Sequence, residues 1–201
     1  MAEHPRGLAV PYDNMAQQLE ASTLGMWTFL ATEILFFGGL FMAFIVYRYA
    51  YPHAFIEAGR RTLILYGSLN TAVLVTSRLT MSMAHDAVRK DKRQALVRWL
   101  LLTLFLGGCF LGIKGLEYTY DLQEHLFPGH HFTPTLPPQG QIFWFLYWLM
   151  TGVHAVHLAV GIGILAVIAW LAARGRFSSS YYGPVQISAL YWHFVDLLWF
   201  W

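Results

Sequence analysis

The sequence has little charge and almost no cysteine, and both shortages limit what the chain can be. Of its 201 residues, 12% are charged and 57% are hydrophobic, whereas a soluble domain carries about 25% charged residues. The single cysteine, Cys109, excludes an internal disulfide framework and a thiolate cluster for a metal. A net charge of +2 provides no basic surface for a nucleic acid. The composition therefore indicates a membrane protein.

Long apolar segments are what the chain has in abundance. A spanning helix needs about 20 mostly apolar residues, and five segments meet this requirement. Their connections are too short for a soluble domain. We therefore predict an all-α membrane bundle, a single domain over residues 1–201 with five transmembrane helices. The predicted spans are 24–49, 62–83, 96–118, 141–171 and 185–201.

The positions of Lys and Arg predict the orientation of these spans, because cytoplasmic connections are enriched in both. With five crossings, most of the basic residues fall on the side of the N-terminus, and the long connection 119–140 on the other side contains none. We therefore predict the N-terminus inside and the C-terminus outside. The N-terminal side has Arg6, Arg89, Lys90, Lys92, Arg93, Arg98, Arg174 and Arg176, and the opposite side has Arg48, Arg60 and Arg61.

Glu33 lies within the first predicted span, among large apolar residues. Ionisable groups at membrane depth are costly, so they persist mainly where they pair or serve a function. One interpretation is a group that holds a proton or contacts lipid headgroups, and the other is a protonated carboxyl that bonds to a neighbouring helix. Arg78, in the second span, either pairs with Glu33 or extends toward the inner surface.

Two histidine motifs have a spacing of three residues, which places both members on one helix face. His154 and His157 would be metal or haem ligands or, as we favour, packing and hydrogen-bonding groups, since one helix cannot supply both axial haem ligands. His193 and Asp196 are close enough in sequence for a mutual hydrogen bond. No serine in a recognisable nucleophile turn accompanies them, so catalysis is not expected.

Lys114 and Glu117 have the same spacing and predict either a mutual ion pair or extension to the interface. Glycines in three predicted spans allow close approach of helix backbones. We therefore expect tight packing along those spans. The glycines are Gly38, Gly39, Gly107, Gly108, Gly112, Gly115, Gly152, Gly161 and Gly163.

Several short motifs, taken in order, resemble one family. They are Thr-Glu-Ile-Leu-Phe-Phe at 32–37, Leu-Asn-Thr at 69–71, Lys-Gly-Leu-Glu-Tyr at 114–118, Gly-Val-His-Ala-Val-His at 152–157 and Tyr-Trp-His-Phe-Val-Asp at 191–196. Together they resemble subunit III of the haem-copper terminal oxidases, in its five-helix bacterial form. The first and last motifs look closer to the cytochrome c branch than to the quinol branch. Arg78 departs from the family pattern, in which a small polar residue is expected.

The resemblance implies an accessory subunit of a proton-pumping oxidase in the bacterial plasma (inner) membrane. Such a chain binds no haem or copper itself, since these lie in partner subunits I and II. It contacts and stabilises subunit I, holds structural phospholipid in a cleft between its helices and sustains proton uptake. No nucleic acid is implied as a partner.

The resemblance also implies roles for individual residues. Glu33 matches the intramembrane glutamate at the lipid cleft, and Arg174 or Arg176 matches an arginine that contacts lipid headgroups. The remaining motif residues are expected to serve packing and subunit contact. These are Asn70, Glu117, His154, His157, Trp192, His193 and Asp196.

An alternative function is a stand-alone small transporter or proton channel that uses Glu33, Arg78 and the two histidine motifs. Such proteins often contain inverted repeats or broken helices, and the sequence shows neither. A haem-binding cytochrome b would need histidines on facing helices, which the spacing of three residues does not supply.

Overall fold

The computed structural model describes residues 12–129, 132 and 137–200, and within these ranges it contains six α-helices and no β-strand. Each predicted span overlaps one long helix. Trp201, which ends the fifth predicted span, and Arg6 lie outside the described residues. The helices are α1 (Met15–Ala50), α2 (Pro52–Gly59), α3 (Ile64–Arg89), α4 (Arg93–Gln123), α5 (Gly140–Ala173) and α6 (Gly183–Trp199).

Three helices, α1, α4 and α5, are long and apolar enough to cross a membrane. They have 36, 31 and 34 residues, with mean hydropathies of 2.2, 2.0 and 2.3 in their most apolar segments. At about 1.5 Å per residue, each is longer than the roughly 30 Å hydrocarbon core of a bilayer. The other two long helices differ, because α3 contains polar residues such as Asn70 and Arg78 and α6 has only 17 residues.

The first helix begins well before the predicted span because a polar residue caps it. The side-chain oxygen of Asn14 accepts a hydrogen bond from the Gln17 N–H, 2.8 Å away. Such a cap satisfies a backbone donor that has no partner within the helix. As a result, α1 starts at Met15 rather than near residue 24.

The helices pack around α3 and α4, which lie side by side, with α5 against α4 and α6 between α3 and α5. In the described part of the chain, α1 approaches α2, α5 and α6 but neither α3 nor α4. This leaves open space between α1 and the α3–α4 pair. The main apolar core includes Leu74, Leu100, Phe110, Leu158 and Val195, all fully buried.

A short helix, α2, was not predicted from the sequence. Pro52 is in its first turn, where proline is tolerated because the missing N–H would have no helical partner. Phe55 and Ala58 form its buried face and join a second apolar cluster with Phe143 and Trp144 of α5. The helix therefore closes the end of the bundle where α1 and α5 meet.

Two connections at the opposite end of the bundle are joined by hydrogen bonds. Asp91, in the turn between α3 and α4, accepts a bond from the Ser179 N–H at 2.6 Å, and the bonds from Ser179 lower the pKa of its carboxyl group. The Arg93 guanidinium donates to the Ala173 carbonyl oxygen at the end of α5. Gly175 has a φ of 71°, which glycine adopts without strain. These contacts hold the α5–α6 connection against the α3–α4 turn.

Only two of the nine glycines expected to mediate close packing do so in the described structure. A Cβ atom placed on Gly107 would lie 2.9 Å from the Trp192 ring, and one on Gly161 would lie 3.1 Å from the Tyr191 ring. A Cβ on Gly38, Gly39, Gly108, Gly112, Gly115 or Gly163 would meet nothing within 4 Å, and one on Gly152 would meet only the Tyr118 hydroxyl at 3.9 Å. Among these nine positions, glycine is therefore required only at Gly107 and Gly161, which pack against two aromatic rings of α6.

We predict that Gly107→Ala destabilises the bundle by about 1–3 kcal/mol, because overpacking forces side chains or backbone to shift. The measurement is the thermal unfolding midpoint of the purified protein in a mild detergent. Gly108→Ala is the matched control, because it adds the same methyl group one residue away in open space. Equal unfolding midpoints for the two variants would contradict the conclusion that Trp192 needs glycine at position 107 to pack.

Candidate functional site

The first polar cluster joins α1 to α5 through Glu33 and His157. The His157 Nε2 lies 3.1 Å from the Glu33 Oε2, and these side chains are 19% and 17% exposed. The other ring nitrogen, Nδ1, donates to the Val153 carbonyl oxygen at 2.9 Å. Because a carbonyl oxygen only accepts, Nδ1 carries a hydrogen, and one further proton is shared between Nε2 and the carboxyl group. The pair is either a carboxylic acid beside a neutral imidazole or a carboxylate beside an imidazolium.

The alternative pairing of Glu33 with Arg78 is not formed. Within the described residues, α1 does not approach α3, which carries Arg78. Instead, Arg78 interacts electrostatically with His193 and Asp196 of α6. Glu33 and Arg78 therefore belong to two different sides of the bundle.

A groove of about 440 Å³ runs past the Glu33–His157 pair, between α1, α5 and α6. Its walls are largely apolar, with Met26, Phe29 and Ile164 among the lining residues. The Tyr191 hydroxyl donates to the His157 carbonyl oxygen at 2.9 Å and so fixes one wall. An apolar groove with one proton-carrying pair in its wall suits an alkyl chain better than a charged solute.

Arg174 and Arg176 do not lie beside Glu33. Arg174 follows the last residue of α5, 17 residues after His157, which corresponds to about 25 Å along the helix. Its guanidinium carbon lies 3.7 Å from the centre of the Trp170 ring, a cation–π contact. Both arginines are exposed. The residues predicted for the lipid site therefore lie at two levels along α5. Glu33 is at the level of His157, and Arg174 and Arg176 are beyond the end of the helix.

A second polar cluster, on α4 and α5, consists of two buried charged side chains and a half-buried tyrosine. The Lys114 Nζ lies 2.9 Å from the Glu117 Oε1, and the two side chains are 3% and 4% exposed, so the predicted mutual pair forms and neither side chain reaches the interface. Lys114 also donates to the Tyr147 hydroxyl at 2.7 Å, and that hydroxyl donates to Glu117. The ammonium group lies 4.6 Å from the Tyr147 ring centre. The three groups thus bond to one another through Glu117 Oε1, whereas Glu117 Oε2 has no hydrogen-bond partner among the described residues.

His154 lies near this second cluster, in a different environment from that of His157. Its side chain faces a cavity of about 340 Å³ that is also lined by Lys114, Glu117 and Trp199. The rings of Phe110 and Trp199 lie 5.5 Å and 5.3 Å from the His154 ring centre. Neither ring nitrogen has a hydrogen-bond partner among the described residues. The two histidines therefore do not act as a pair.

The α6 motif packs against α3. The Trp192 Nε1 donates to the Ser77 Oγ at 2.7 Å, and the His193 Nε2 lies 3.4 Å from the Ser82 Oγ. The predicted bond between His193 and Asp196 is not formed, because the Asp196 oxygens have no hydrogen-bond partner among the described residues. Side chains lean toward the N-terminus of their helix, so His193 reaches toward Ser82 and away from Asp196.

Asn70 is also buried on α3, and neither atom of its amide group has a hydrogen-bond partner in the described part of the chain. The predicted motif residues are therefore distributed along the bundle and do not converge on one centre. Over residues 12–129, 132 and 137–200, no group of three or more His, Cys, Asp or Glu side chains is arranged to hold a metal ion.

The hydroxyl groups of Tyr147 and Tyr191, whose hydrogen bonds were not predicted from the sequence, complete the two clusters. The sequence indicated the Tyr147 contact only indirectly. A buried Lys–Glu pair has further donors and acceptors, which a side chain from a neighbouring helix is expected to satisfy. Ser82, which bonds to His193, gave no signal in the sequence. Its contact depends on the relative position of α3 and α6.

Comparison with known proteins relates the chain to one family. A family model described as cytochrome c oxidase subunit III matches residues 13–201. The cytochrome c oxidase subunit 3 of Thermostichus vulcanus is 27% identical over 96% of this chain and 90% of its own length. A Staphylococcus haemolyticus protein described as "Probable quinol oxidase subunit 3" is 28% identical over 93% of this chain and 88% of its own length. The cytochrome c oxidase subunit 3 of Gadus morhua is 32% identical over 87% of this chain and 64% of its own length.

We predict that Lys114→Met destabilises the bundle by about 3–5 kcal/mol, because it leaves the buried Glu117 carboxylate without its counter-ion. The measurement is unfolding in detergent, followed by circular dichroism. The double variant Lys114→Met/Glu117→Gln removes both charges and keeps an acceptor for the Tyr147 hydroxyl. It should recover most of the loss, and a double variant as unstable as the single one would contradict the ion-pair account.

Proposed function

Because the chain belongs to the cytochrome c oxidase subunit III family, we propose that it is an accessory subunit of a haem-copper oxidase that carries no redox centre of its own. Membership in this family implies a component of a multisubunit oxidase. The observation that carries the proposal is the family match over nearly the whole chain, residues 13–201. In this proposal the chain contacts and stabilises subunit I, and subunit II belongs to the same complex.

The proposed topology has five spans, α1, α3, α4, α5 and α6, in a bacterial plasma membrane, with the N-terminus inside. The α3–α4 turn and the α5–α6 connection lie at one end of the bundle, joined through Asp91 and Arg93. The basic residues concentrated in these two connections support a cytoplasmic location for that end. The short helix α2 then lies on the outer side.

The proposed mechanism has two parts, both located at the groove beside α1. Its apolar walls would hold phospholipid chains against α5 and α6, which links the lipid to the stability of the complex. In this proposal the Glu33–His157 pair takes up a proton from the aqueous side and releases one toward subunit I, and thereby sustains proton uptake. While the pair holds the proton, it shares it between two groups without leaving an isolated charge. The hydrogen bond from the His157 Nδ1 to the Val153 carbonyl oxygen fixes the orientation of the ring. Nε2 therefore stays directed at Glu33.

Haem and copper are assigned to the partner subunits. His157 is engaged by Glu33 and Val153, and His154 is enclosed by Phe110 and Trp199. These environments support a hydrogen-bonding role for His157 and a packing role for His154. The forms of the motifs at 33–37 and 191–196 favour a cytochrome c oxidase over a quinol oxidase.

The proposed function predicts that this chain, tagged and extracted in a mild detergent, copurifies with a large haem-containing subunit. Stripped from the complex in a harsher detergent, it should show no haem absorption band in the visible spectrum. Isolation in native form without a haem-containing companion, or a stoichiometric haem on the stripped chain, would contradict the proposal. Proton flux through liposomes that contain only this chain would instead support the alternative function of a channel.

We predict that Glu33→Ala and Glu33→Gln both leave the oxidase assembled but reduce the number of turnovers before it inactivates. Glutamine can donate a hydrogen bond to the His157 Nε2 and fills the same volume, but it cannot exchange a proton. The measurement is oxygen consumption by the purified complex until activity is lost. Glu20→Ala, which removes an exposed carboxylate near the start of α1, is the matched control. If Glu33→Gln has the lifetime of the wild type, the shared proton has no role in sustaining turnover.

A further inference from the structure

A row of polar side chains runs along the boundary of α3 and α6. Arg78, Ser82 and His85 follow one another on α3 at intervals of four and three residues, and so lie on one helix face. His193 of α6 joins them through its contact with Ser82 at 3.4 Å. Arg78 and Ser82 are exposed, whereas His85 and His193 are half-buried. We call these four residues the polar stripe.

Arg78 lies deep within the proposed span. It is 11 residues before Arg89, the last residue of α3, and 14 residues after Ile64, the first. These separations correspond to about 16 Å and 21 Å along the helix, so Arg78 is in the middle part of α3. A charged arginine near the centre of a bilayer is costly, and such residues almost always face protein or a water-filled cavity.

This chain does not provide a direct partner for the Arg78 guanidinium. Within the described residues, the guanidinium forms no hydrogen bond and no ion pair with a carboxylate. Asp196 interacts with it electrostatically, but the Asp196 side chain is buried and its oxygens have no hydrogen-bond partner among the described residues. The donors of Arg78 are therefore available to a group outside the described residues.

The exposed surface of α1 is of a different kind. Its middle part presents large apolar side chains, including Trp27, Ile34, Leu35 and Met42, which are more than half exposed. An apolar surface of this type suits lipid chains, whose contact with polar groups is unfavourable. The polar stripe is unsuited to lipid chains for the same reason. The two faces of the bundle therefore have different neighbours.

We propose that the polar stripe is the docking surface for a transmembrane helix of a neighbouring oxidase subunit, and that an aspartate or glutamate of that helix pairs with Arg78. This inference rests on the proposed function, which supplies the neighbour. The guanidinium group fits a carboxylate through two parallel hydrogen bonds. Ser82 and the histidines supply further hydrogen-bonding groups along the same contact.

The first experiment measures how firmly the tagged chain retains the haem-containing subunit through a series of detergent washes. Arg78→Met should reduce retention roughly tenfold or more, because it leaves a buried carboxylate unpaired. Arg78→Asp should reduce retention further, and replacing the partner's acidic residue by lysine should restore it. Arg98→Met is the matched control, since Arg98 is an exposed arginine on α4, and it should behave as the wild type. Retention unchanged in both Arg78 variants would overturn the inference.

The second experiment does not depend on weakening the complex. In a Cys109→Ala background, Ser82→Cys and Leu35→Cys each carry a thiol-linked photoreactive group, and the complex is illuminated in the membrane. Ser82→Cys should crosslink to a subunit of the oxidase, and Leu35→Cys should crosslink mainly to lipid. An intact complex in which Ser82→Cys captures only lipid would overturn the inference. If the wild-type chain has no haem-containing companion at all, the proposed function is wrong. If the companion is present but Ser82→Cys captures only lipid, the proposed function stands and only the docking surface is wrong.

Discussion

Polar groups inside a membrane bundle have no water to bond, so a hydrogen bond between neighbouring helices stabilises those that form one. This constraint accounts for the two clusters that connect α5 to its neighbours. Lys114, Glu117 and Tyr147 bond to one another between α4 and α5, and Glu33 and His157 do so between α1 and α5. The same helix therefore takes part in both clusters, and its position determines the geometry of each.

Apolar packing is concentrated at a different place. Trp192 of α6 is fully buried, bonds to Ser77 of α3, and lies against Gly107 of α4 and Gly161 of α5. This one ring of α6 thus contacts three other helices. Because interiors are close-packed, the packing of the Trp192 ring sets the distances between α3, α4, α5 and α6. In contrast, α1 stands apart from α3 and α4, and this separation leaves room for the cavity of about 340 Å³ that Phe37, Ile64 and Lys114 line.

The two sides of the bundle have different chemical characters that agree with one functional interpretation. The side of α1 combines an apolar groove with one shared proton, which fits lipid and proton handling. The side of α3 and α6 carries the polar stripe, which fits a protein neighbour. In the proposed function, the groove beside α1 would serve lipid binding and proton uptake, and the polar stripe would contact a neighbouring subunit. No convergence of all the motif residues on one centre is required for this role.

The sequence by itself determined the membrane class, the apolar helices and the family. Composition, the length of apolar segments and the order of motifs can all be read from the chain without knowledge of its contacts. It also predicted the Lys114–Glu117 pair as one of two alternatives, since both residues lie one turn apart on one helix. Only the tertiary structure decided that Glu33 pairs with His157 and not with Arg78, that His193 contacts Ser82 and not Asp196, and that α2 exists. The physical reason is that contacts between helices depend on their rotation and relative height, which residue spacing along one helix does not contain.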